Sequence, residues 1–171
     1  DRLPLPRHSG IRIRPVDGRA GTADLPSGCA DTVIVDAFAG ASVPPELGTM
    51  EFLAEARRLL RPEGLVVMNL TDAAPFGWAR RCLAGFAASF GQAAVSAEVP
   101  VWKGRRFGNL VVAAGERVPV QALERRVVRA VFPYRLLAGR ELARWLGGAV
   151  PFTDADAEPS PSPAWSRGWF S

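Results

Sequence analysis

Two aspartates stand where the sequence predicts that strands end. Asp17 follows Val16 and precedes Gly18, and Asp36 follows the apolar run Val33–Val35. Ligands of open α/β sheets bind beyond the carboxyl ends of the strands. A carboxylate there is costly unless it is solvated, paired or used, so both aspartates are candidate site residues. Both positions also suit the cap of a following turn or helix, and the residues alone leave the two interpretations open.

Apolar patterns predict the elements that position these aspartates. The continuous runs Val33–Val35 and Leu65–Met68 are typical of strands buried on both faces of a parallel sheet. Between them, Thr49 is a suitable cap for a helix whose apolar stripe lies between positions 52 and 60. A second helix is predicted by the stripe between positions 79 and 90. Strands therefore alternate with helices in this part of the chain.

The remaining segments predict a sheet edge, a hairpin and two more helices. Ile11–Val16 alternates apolar and charged residues up to Pro15, which is typical of an edge strand. Ala93–Val101 and Leu110–Ala114 should pair as an antiparallel hairpin. One helix is expected to begin at Pro119, and a shorter one to cover about Arg140–Leu146.

Together these elements predict a doubly wound, Rossmann-like and mostly parallel α/β sheet with an antiparallel C-terminal hairpin. The chain passes directly from an edge-type strand to a central-type strand, so we expect the N-terminal strands of the sheet to be missing. Residues 1–152 are predicted to form this partial domain. Residues 153–171 are predicted to form a Pro/Ser-rich tail, mostly extended, with the aromatic residues Trp165, Trp169 and Phe170.

Composition limits the classes of function. A chain of 171 residues, 48% of them apolar, is long enough for one domain. It has no apolar run long enough to span a bilayer and no signal-peptide pattern, which predicts the cytoplasm as its compartment. Cys29 and Cys82 match no metal-ligand spacing and are expected to be reduced and buried, so no metal is predicted.

The net charge of +4 raises the question of nucleic-acid binding. The arginines, however, are spread along the whole chain, and a solvated surface explains them more simply than a nucleic-acid footprint. The turn from Trp102 to Phe107 offers an aromatic and cationic patch, for which a plain hairpin loop is the stronger interpretation.

An ordered series of motifs resembles the spermidine synthase family, and most closely its bacterial spermidine-synthase-like members within the class I methyltransferase-like fold. The resemblance runs from about Leu5 to Asp156. It rests on the following stretches: Val16–Arg19, Asp31–Phe38, Val43–Leu47, Glu51–Leu53, Leu60–Leu70, Gly104–Leu110 and Thr153–Ala157.

The resemblance implies transfer of an alkyl group from a sulfonium nucleoside. The donor would be decarboxylated S-adenosylmethionine, which gives an aminopropyl group, or S-adenosylmethionine, which gives a methyl group. Asp17 and Gly18 match the family's adenine-contacting pair, and Ala37 is assigned to the same cofactor site. Asp36 matches the aspartate that orients the amine and helps remove its proton. That role is needed because an ammonium ion is not a nucleophile.

Two departures from the family pattern weaken a polyamine assignment. The second acid of true spermidine synthases is replaced by Ala39, and Ala41 stands where many relatives are acidic. The family's glycine-rich loop and its ribose-binding acid would both precede Asp1, and no comparable loop occurs in this sequence.

Three hypotheses follow for function. The first is a spermidine-synthase-like transferase that is incomplete as given and acts on a small amine. The second is a non-catalytic relative that acts as a binding or regulatory module, and the third is a basic nucleic-acid-binding domain. No membrane partner is expected. A second copy of the chain, or a separate N-terminal segment, is expected to complete the sheet.

Overall fold

The computed structural model of the protein describes residues 8–163. Within them the chain forms five strands, six helices and one 3₁₀ turn. In chain order these are α1 (Gly18–Ala23), β1 (Ala30–Val35), the 3₁₀ turn (Pro45–Leu47), α2 (Met50–Leu59), β2 (Leu60–Asp72), α3 (Gly77–Ser89), β3 (Gln92–Glu98), α4 (Val99–Trp102), β4 (Gly108–Gly115), α5 (Val120–Val128), β5 (Tyr134–Ala138) and α6 (Gly139–Leu146).

Helices α2 and α3 form where the apolar stripes predict them. The Thr49 hydroxyl caps α2 by accepting a hydrogen bond from the Phe52 amide at 3.3 Å. Helix α3 buries Cys82, Leu83 and Phe86. Burial raises the pKa of the Cys82 thiol to about 12, so this cysteine is an inert core residue, as the sequence predicts.

The sheet has the strand order β1-β2-β4-β3-β5 and is mixed. Only β1 and β2 pair in parallel, while the β2–β4, β4–β3 and β3–β5 pairs are antiparallel. Strands β1, β2 and β3 nevertheless run in the same direction, because β4 lies between β2 and β3 and opposes both. The predicted α/β alternation and the β3–β4 hairpin are confirmed, whereas the neighbouring strands are mostly antiparallel rather than parallel.

The two faces of the sheet differ in their cover. Val35, Met68, Val112, Val95 and Leu137 are cross-strand neighbours on the helical face, and all are buried beneath α2, α3 and α6. The opposite face, called here the open face, is formed by residues that alternate with these in the strands. It comprises Ile34, Val67, Asn69, Val111 and Ala113, of which Ile34 is 73% exposed and Val111 is 38% exposed.

Two sequence-based predictions about the start of the sheet need correction. Ile11–Val16 forms no strand, and Ile11 and Ile13 are exposed because no strand of the described part of the chain offers them hydrogen bonds or cover. The run Val33–Val35 lies in β1, which is the edge strand of the described sheet. Its Ile34 side chain has no cover, although the unbroken apolar run predicts burial on both faces.

The sequence patterns do not predict three short elements. Strand β5 follows Pro133 and has only five residues, while α1 and α4 have six and four. The two predicted C-terminal helices correspond to α5 and α6. Helix α5 packs mainly on β5 and has no buried residue, although its sequence has an apolar stripe.

Residues 153–163 begin with a turn at positions 153–156, continue without helix or strand and lie against the domain, and we call them the C-terminal strap. The Ser160 hydroxyl accepts a hydrogen bond from the Val43 amide at 2.8 Å, and the Ser160 amide donates to the Val43 carbonyl at 3.1 Å. Trp78 donates its indole N–H to the Glu158 carbonyl at 2.8 Å. The domain boundary after residue 152 stays a prediction, and Trp165, Trp169 and Phe170 lie outside the described residues.

Candidate functional site

The carboxyl ends of β1, β2 and β3 meet at one edge of the sheet because these strands share a direction. An acidic residue stands at each end: Asp36 directly after β1, Asp72 at the end of β2 and Glu98 at the end of β3. We call this the carboxyl edge. Of these three acids, Asp36 is the one whose sequence position predicts a functional role.

Asp36 is exposed and is oriented by a neighbour on β2. Its Oδ1 accepts a hydrogen bond from Asn69 Nδ2 at 3.0 Å, and its other oxygen receives no hydrogen bond from residues 8–163. Asn69 Oδ1 is buried and has no hydrogen-bond partner in the same part of the chain. The two side chains therefore hold one carboxylate oxygen in place and leave the second accessible at the border of the open face.

The other two acids at the carboxyl edge have partners within the chain that stabilise the fold. Asp72 is buried, and its two oxygens accept hydrogen bonds from the amides of Ala73 at 2.7 Å and Ala79 at 2.8 Å. Burial raises the pKa of this carboxyl group in spite of those hydrogen bonds. Glu98 forms an ion pair with Arg106. Asp36 is thus the acid of the three that is neither buried nor paired with an arginine in the described residues.

Asp17 lies on a different element and caps α1. Its Oδ1 accepts a hydrogen bond from the Ala20 amide at 2.9 Å, which matches the capping alternative that the sequence leaves open. Its side chain is exposed, and no hydrogen bond joins it to Asp36 in the described residues. Gly18 opens the helix, and a Cβ built on it would meet no atom within 4 Å. The backbone there is open to solvent.

Helix α1 is tied down by two arginines. Arg19 donates to the Asp154 carboxylate at 2.7 and 2.5 Å and to the Glu46 carbonyl at 3.2 Å. The pairing lowers the pKa of Asp154 and raises that of Arg19. Arg58 of α2 donates to the Thr22 carbonyl at 3.0 Å. The position of Asp17 relative to α2 and the strap is therefore fixed by several hydrogen bonds.

Hydrogen bonds hold the loop after β1 in place where it leaves the carboxyl edge. Ala37 is half-buried at its start, and the Ala39 amide donates to the Ser42 carbonyl at 2.9 Å in a tight turn. Further along, Thr71 and Ser160 share a buried hydrogen bond of 3.0 Å between their hydroxyls. Strand β2, this loop and the strap are thus joined close to Asp36.

Sequence reasoning missed Asn69 and Ser160. An amide within the apolar run of β2 is a signal that could have identified Asn69, whereas nothing in the Pro/Ser-rich strap distinguishes Ser160.

In the turn from Trp102 to Phe107, two side chains already have partners within the chain. Trp102 donates a hydrogen bond to the Arg135 carbonyl at 3.0 Å, and Arg106 forms an ion pair with Glu98. Among residues 8–163, no three His, Cys, Asp or Glu side chains form a group that could hold a metal ion. None of the helices in that range is long and apolar enough to cross a membrane.

Comparison with known proteins gives a structural likeness and no sequence-family match. No protein-family model and no curated protein sequence matches the chain. A probable spermidine synthase from Corynebacterium glutamicum superposes with a TM-score of 0.79 and 29% identity, over 88% of this chain and 56% of that one. This chain thus spans a little over half the length of that structure.

A second solved structure is more distant. Human methyltransferase-like protein 13, in complex with SAH, superposes with a TM-score of 0.49 and 22% identity over 84% of this chain and 62% of that one. A likeness of this size does not add to the assignment. The Corynebacterium likeness, together with the order of elements, defines the architecture as a Rossmann-like α/β fold of the class I methyltransferase-like type.

Proposed function

We propose that this chain is part of a transferase that moves an aminopropyl or methyl group from an S-adenosylmethionine-type sulfonium donor to an amine or another nucleophile. The observation that supports it most directly is the Asp36–Asn69 pair at the carboxyl end of the shared-direction strands. The likeness to a probable spermidine synthase favours the same class of reaction. Fold alone does not define an activity, so the proposal rests on this site.

Asp36 is assigned the role of orienting the nucleophile and accepting its proton. The hydrogen bond from Asn69 fixes one carboxylate oxygen, and the other is free to accept a hydrogen bond from an incoming N–H. In the reaction a bond forms from the nucleophile to the carbon next to sulfur, the carbon–sulfur bond breaks, and its electron pair stays on the sulfur. The displaced proton passes to Asp36 or to water.

Asp17, Gly18 and Ala37 are assigned to the nucleoside part of the donor. The exposed Asp17 carboxylate has a second oxygen to accept a hydrogen bond from an exocyclic amine while the first caps α1. The open backbone at Gly18 leaves room for a flat ring. These residues fit a nucleoside, and no metal is part of the proposal.

The acceptor is inferred to carry little positive charge. Ala39 and Ala41 add no acid to the loop, and Asp72 and Glu98 are engaged elsewhere. One exposed carboxylate contributes only about 0 to 1 kcal/mol to holding a cation. A monoamine or a neutral nucleophile therefore suits this site better than a diamine.

We further infer that another α/β segment pairs with the outer edge of β1, covers the open face and supplies the remainder of the donor site. Ile34 is 73% exposed at this edge, and the outer backbone groups of β1, which pair with no strand of the described residues, can accept a parallel strand. The chain also spans only 56% of the Corynebacterium structure. The segment would belong to the same polypeptide or to a separate one.

A second candidate is a non-catalytic relative that binds a ligand or a partner without turnover. It is favoured by Ala39 and Ala41, and by the use of Asp17 as a helix cap. The two candidates differ in whether Asp36 affects a chemical step.

Calorimetric titration with methylthioadenosine, S-adenosylmethionine and its decarboxylated form tests the donor site. Asp17→Ser keeps a capping hydroxyl but shortens its reach, so we expect about tenfold weaker binding with α1 intact. Asp24→Ser, at the other end of α1, is the matched control and should leave the affinity unchanged. Equal donor affinities of the unaltered protein and Asp17→Ser, or no saturable donor binding once a segment that completes the sheet is present, would contradict the proposal.

Turnover with amine acceptors tests Asp36. In Asp36→Asn we expect kcat/KM to fall by about 10² to 10⁴, because the amide accepts no proton, while donor affinity stays the same. Equal turnover in the two proteins would remove Asp36 from the mechanism.

A further inference from the structure

A cavity of about 500 Å³ lies at the end of the sheet opposite to the carboxyl edge. Strand β3 begins at Gln92, which lines the cavity, and ends at Glu98 on the carboxyl edge. The ends of α3 and β5 and one side each of α5 and α6 complete its walls. It is therefore separate from the site that contains Asp36.

The cavity walls are mainly apolar and partly fixed by the core. Phe90 and Leu142 are only 7% and 3% exposed, so their positions are set by packing. Val120, Leu136 and Leu146 extend the apolar lining. A volume of this size and such a lining are typical of sites for small organic ligands, which occupy roughly 300–1,000 Å³.

The charge of the lining is opposite to that of the chain as a whole. The chain has 21 basic residues and a net charge of +4, yet no lysine or arginine lines the cavity. Of its two carboxylates, Glu141 pairs with Arg135, whereas Glu124 has no hydrogen bond or ion pair with any described residue. The amide oxygen of Gln92 is already used to accept a hydrogen bond from the Val118 amide at 2.8 Å. The uncompensated charge of the lining is negative.

We propose that this cavity binds a small organic cation with an apolar body. The hydrocarbon part would lie against Phe90 and Leu142, and the ammonium group would point to Glu124. Apolar contact contributes most of the affinity, and the carboxylate selects the cation over a neutral molecule of the same shape. The proposal is independent of the transferase activity, because neither Asp36 nor Asp17 takes part in it.

Calorimetric titration with 2-phenylethylammonium and its neutral analogue 2-phenylethanol tests the charge preference. We expect the ammonium compound to bind about fivefold more tightly, the preference that one exposed ion pair supports. In Glu124→Gln the two compounds should bind equally, at the affinity of the alcohol. Equal binding to the unaltered protein, or no saturable binding of either compound, would overturn the proposal.

A cavity-filling variant tests the location. Ala143 lines the cavity from the exposed side of α6, so Ala143→Phe should block both compounds while the circular-dichroism spectrum stays unchanged. Ala54→Phe, on the exposed side of α2 and away from the cavity lining, is the matched control and should bind both compounds normally. Retained binding in Ala143→Phe, or binding lost in Ala54→Phe, would assign the cation to another place and refute the cavity site.

Discussion

The two faces of the sheet differ in whether helices cover them and in whether candidate site residues lie at their border. The helical face is buried under α2, α3 and α6, and its residues Val66, Met68 and Leu70 are completely inaccessible to solvent. The open face exposes Ile34 and Val111, and Asp36 stands at its border with Asn69. The described residues thus cover one side of a doubly wound sheet, whereas the candidate site lies at the border of the other side.

This difference also explains why the site is only part of a pocket. On the helical face, each strand residue contacts side chains from a neighbouring layer, so its position is determined by packing. At the open border, Asp36 is held by one hydrogen bond from Asn69, and no described residue covers it from above. A ligand at Asp36 would therefore need further cover, which the inferred additional segment provides.

The largest expected effect concerns amide hydrogen exchange. Within residues 8–163, strand β4 has partners on both sides, whereas β1 has β2 on one side only. We expect the amides of β1 that point away from β2 to exchange about 10³-fold faster, or more, than those of β4, because exchange in β4 requires global unfolding. Mass-spectrometric or NMR exchange on the isolated chain measures the difference.

Equal protection of β1 and β4 would contradict an exposed outer edge of β1. It would mean that another part of the chain or a second copy already covers the edge of β1. Repeating the exchange at several protein concentrations separates these cases, because only a second copy gives protection that rises with concentration.

The next effect concerns two adjacent valines of β4 that point to opposite faces. Val112 is fully buried and Val111 is 38% exposed. We expect Val112→Ala to lower the free energy of unfolding by about 2 kcal/mol, since it leaves a cavity in the core. Val111→Ala, the matched control, should cost about 0.5 kcal/mol or less. Urea denaturation of the two variants measures both values, and equal losses would show that the open face is covered in solution.

The helical layer could be predicted from the sequence because its signals are local. The stripes of α2 and α3 repeat at helical spacing, and Thr49 stands at the position of a cap. The hairpin of β3 and β4 is likewise set by residues close in sequence. Local propensity and apolar periodicity are sufficient for such elements.

The open face and most of the site depend on contacts between distant residues. The apolar run Val33–Val35 indicates burial on both faces, but whether a layer covers Ile34 depends on other segments. Asn69 bonds to a residue 33 positions away, and Ser160 bonds to one 117 positions away. No local pattern encodes such pairings. The roles of Asp17, Gly18, Asp36 and Ala37 remain predictions.

The smallest expected effect concerns the pH dependence of stability at the C-terminal strap. Asp156 accepts hydrogen bonds from the Thr153 amide and hydroxyl, both at 2.8 Å, and pairs with Arg81, whose guanidinium lies 3.9 Å from the centre of the Phe152 ring. The Thr153 amide and then Arg81 lower the pKa of Asp156 from 3.8 to about 2. Because the folded-state pKa is the lower one, the stabilising effect is complete above about pH 4 and is lost as the pH falls to about 2.

Asp72 gives the opposite sign and so provides the contrast for this test. Burial raises its folded-state pKa, so the folded state binds the proton more tightly, and ionisation of Asp72 destabilises the fold as the pH rises from about 4. As the pH decreases, the free energy of unfolding of the unaltered protein should therefore fall towards that of the Asp156→Asn variant. As the pH increases, the free energy of unfolding of the unaltered protein should fall relative to that of the Asp72→Asn variant. Urea denaturation between pH 2 and pH 7 gives both slopes. Slopes of the same sign would show that the strap and the buried carboxylate are not arranged as described.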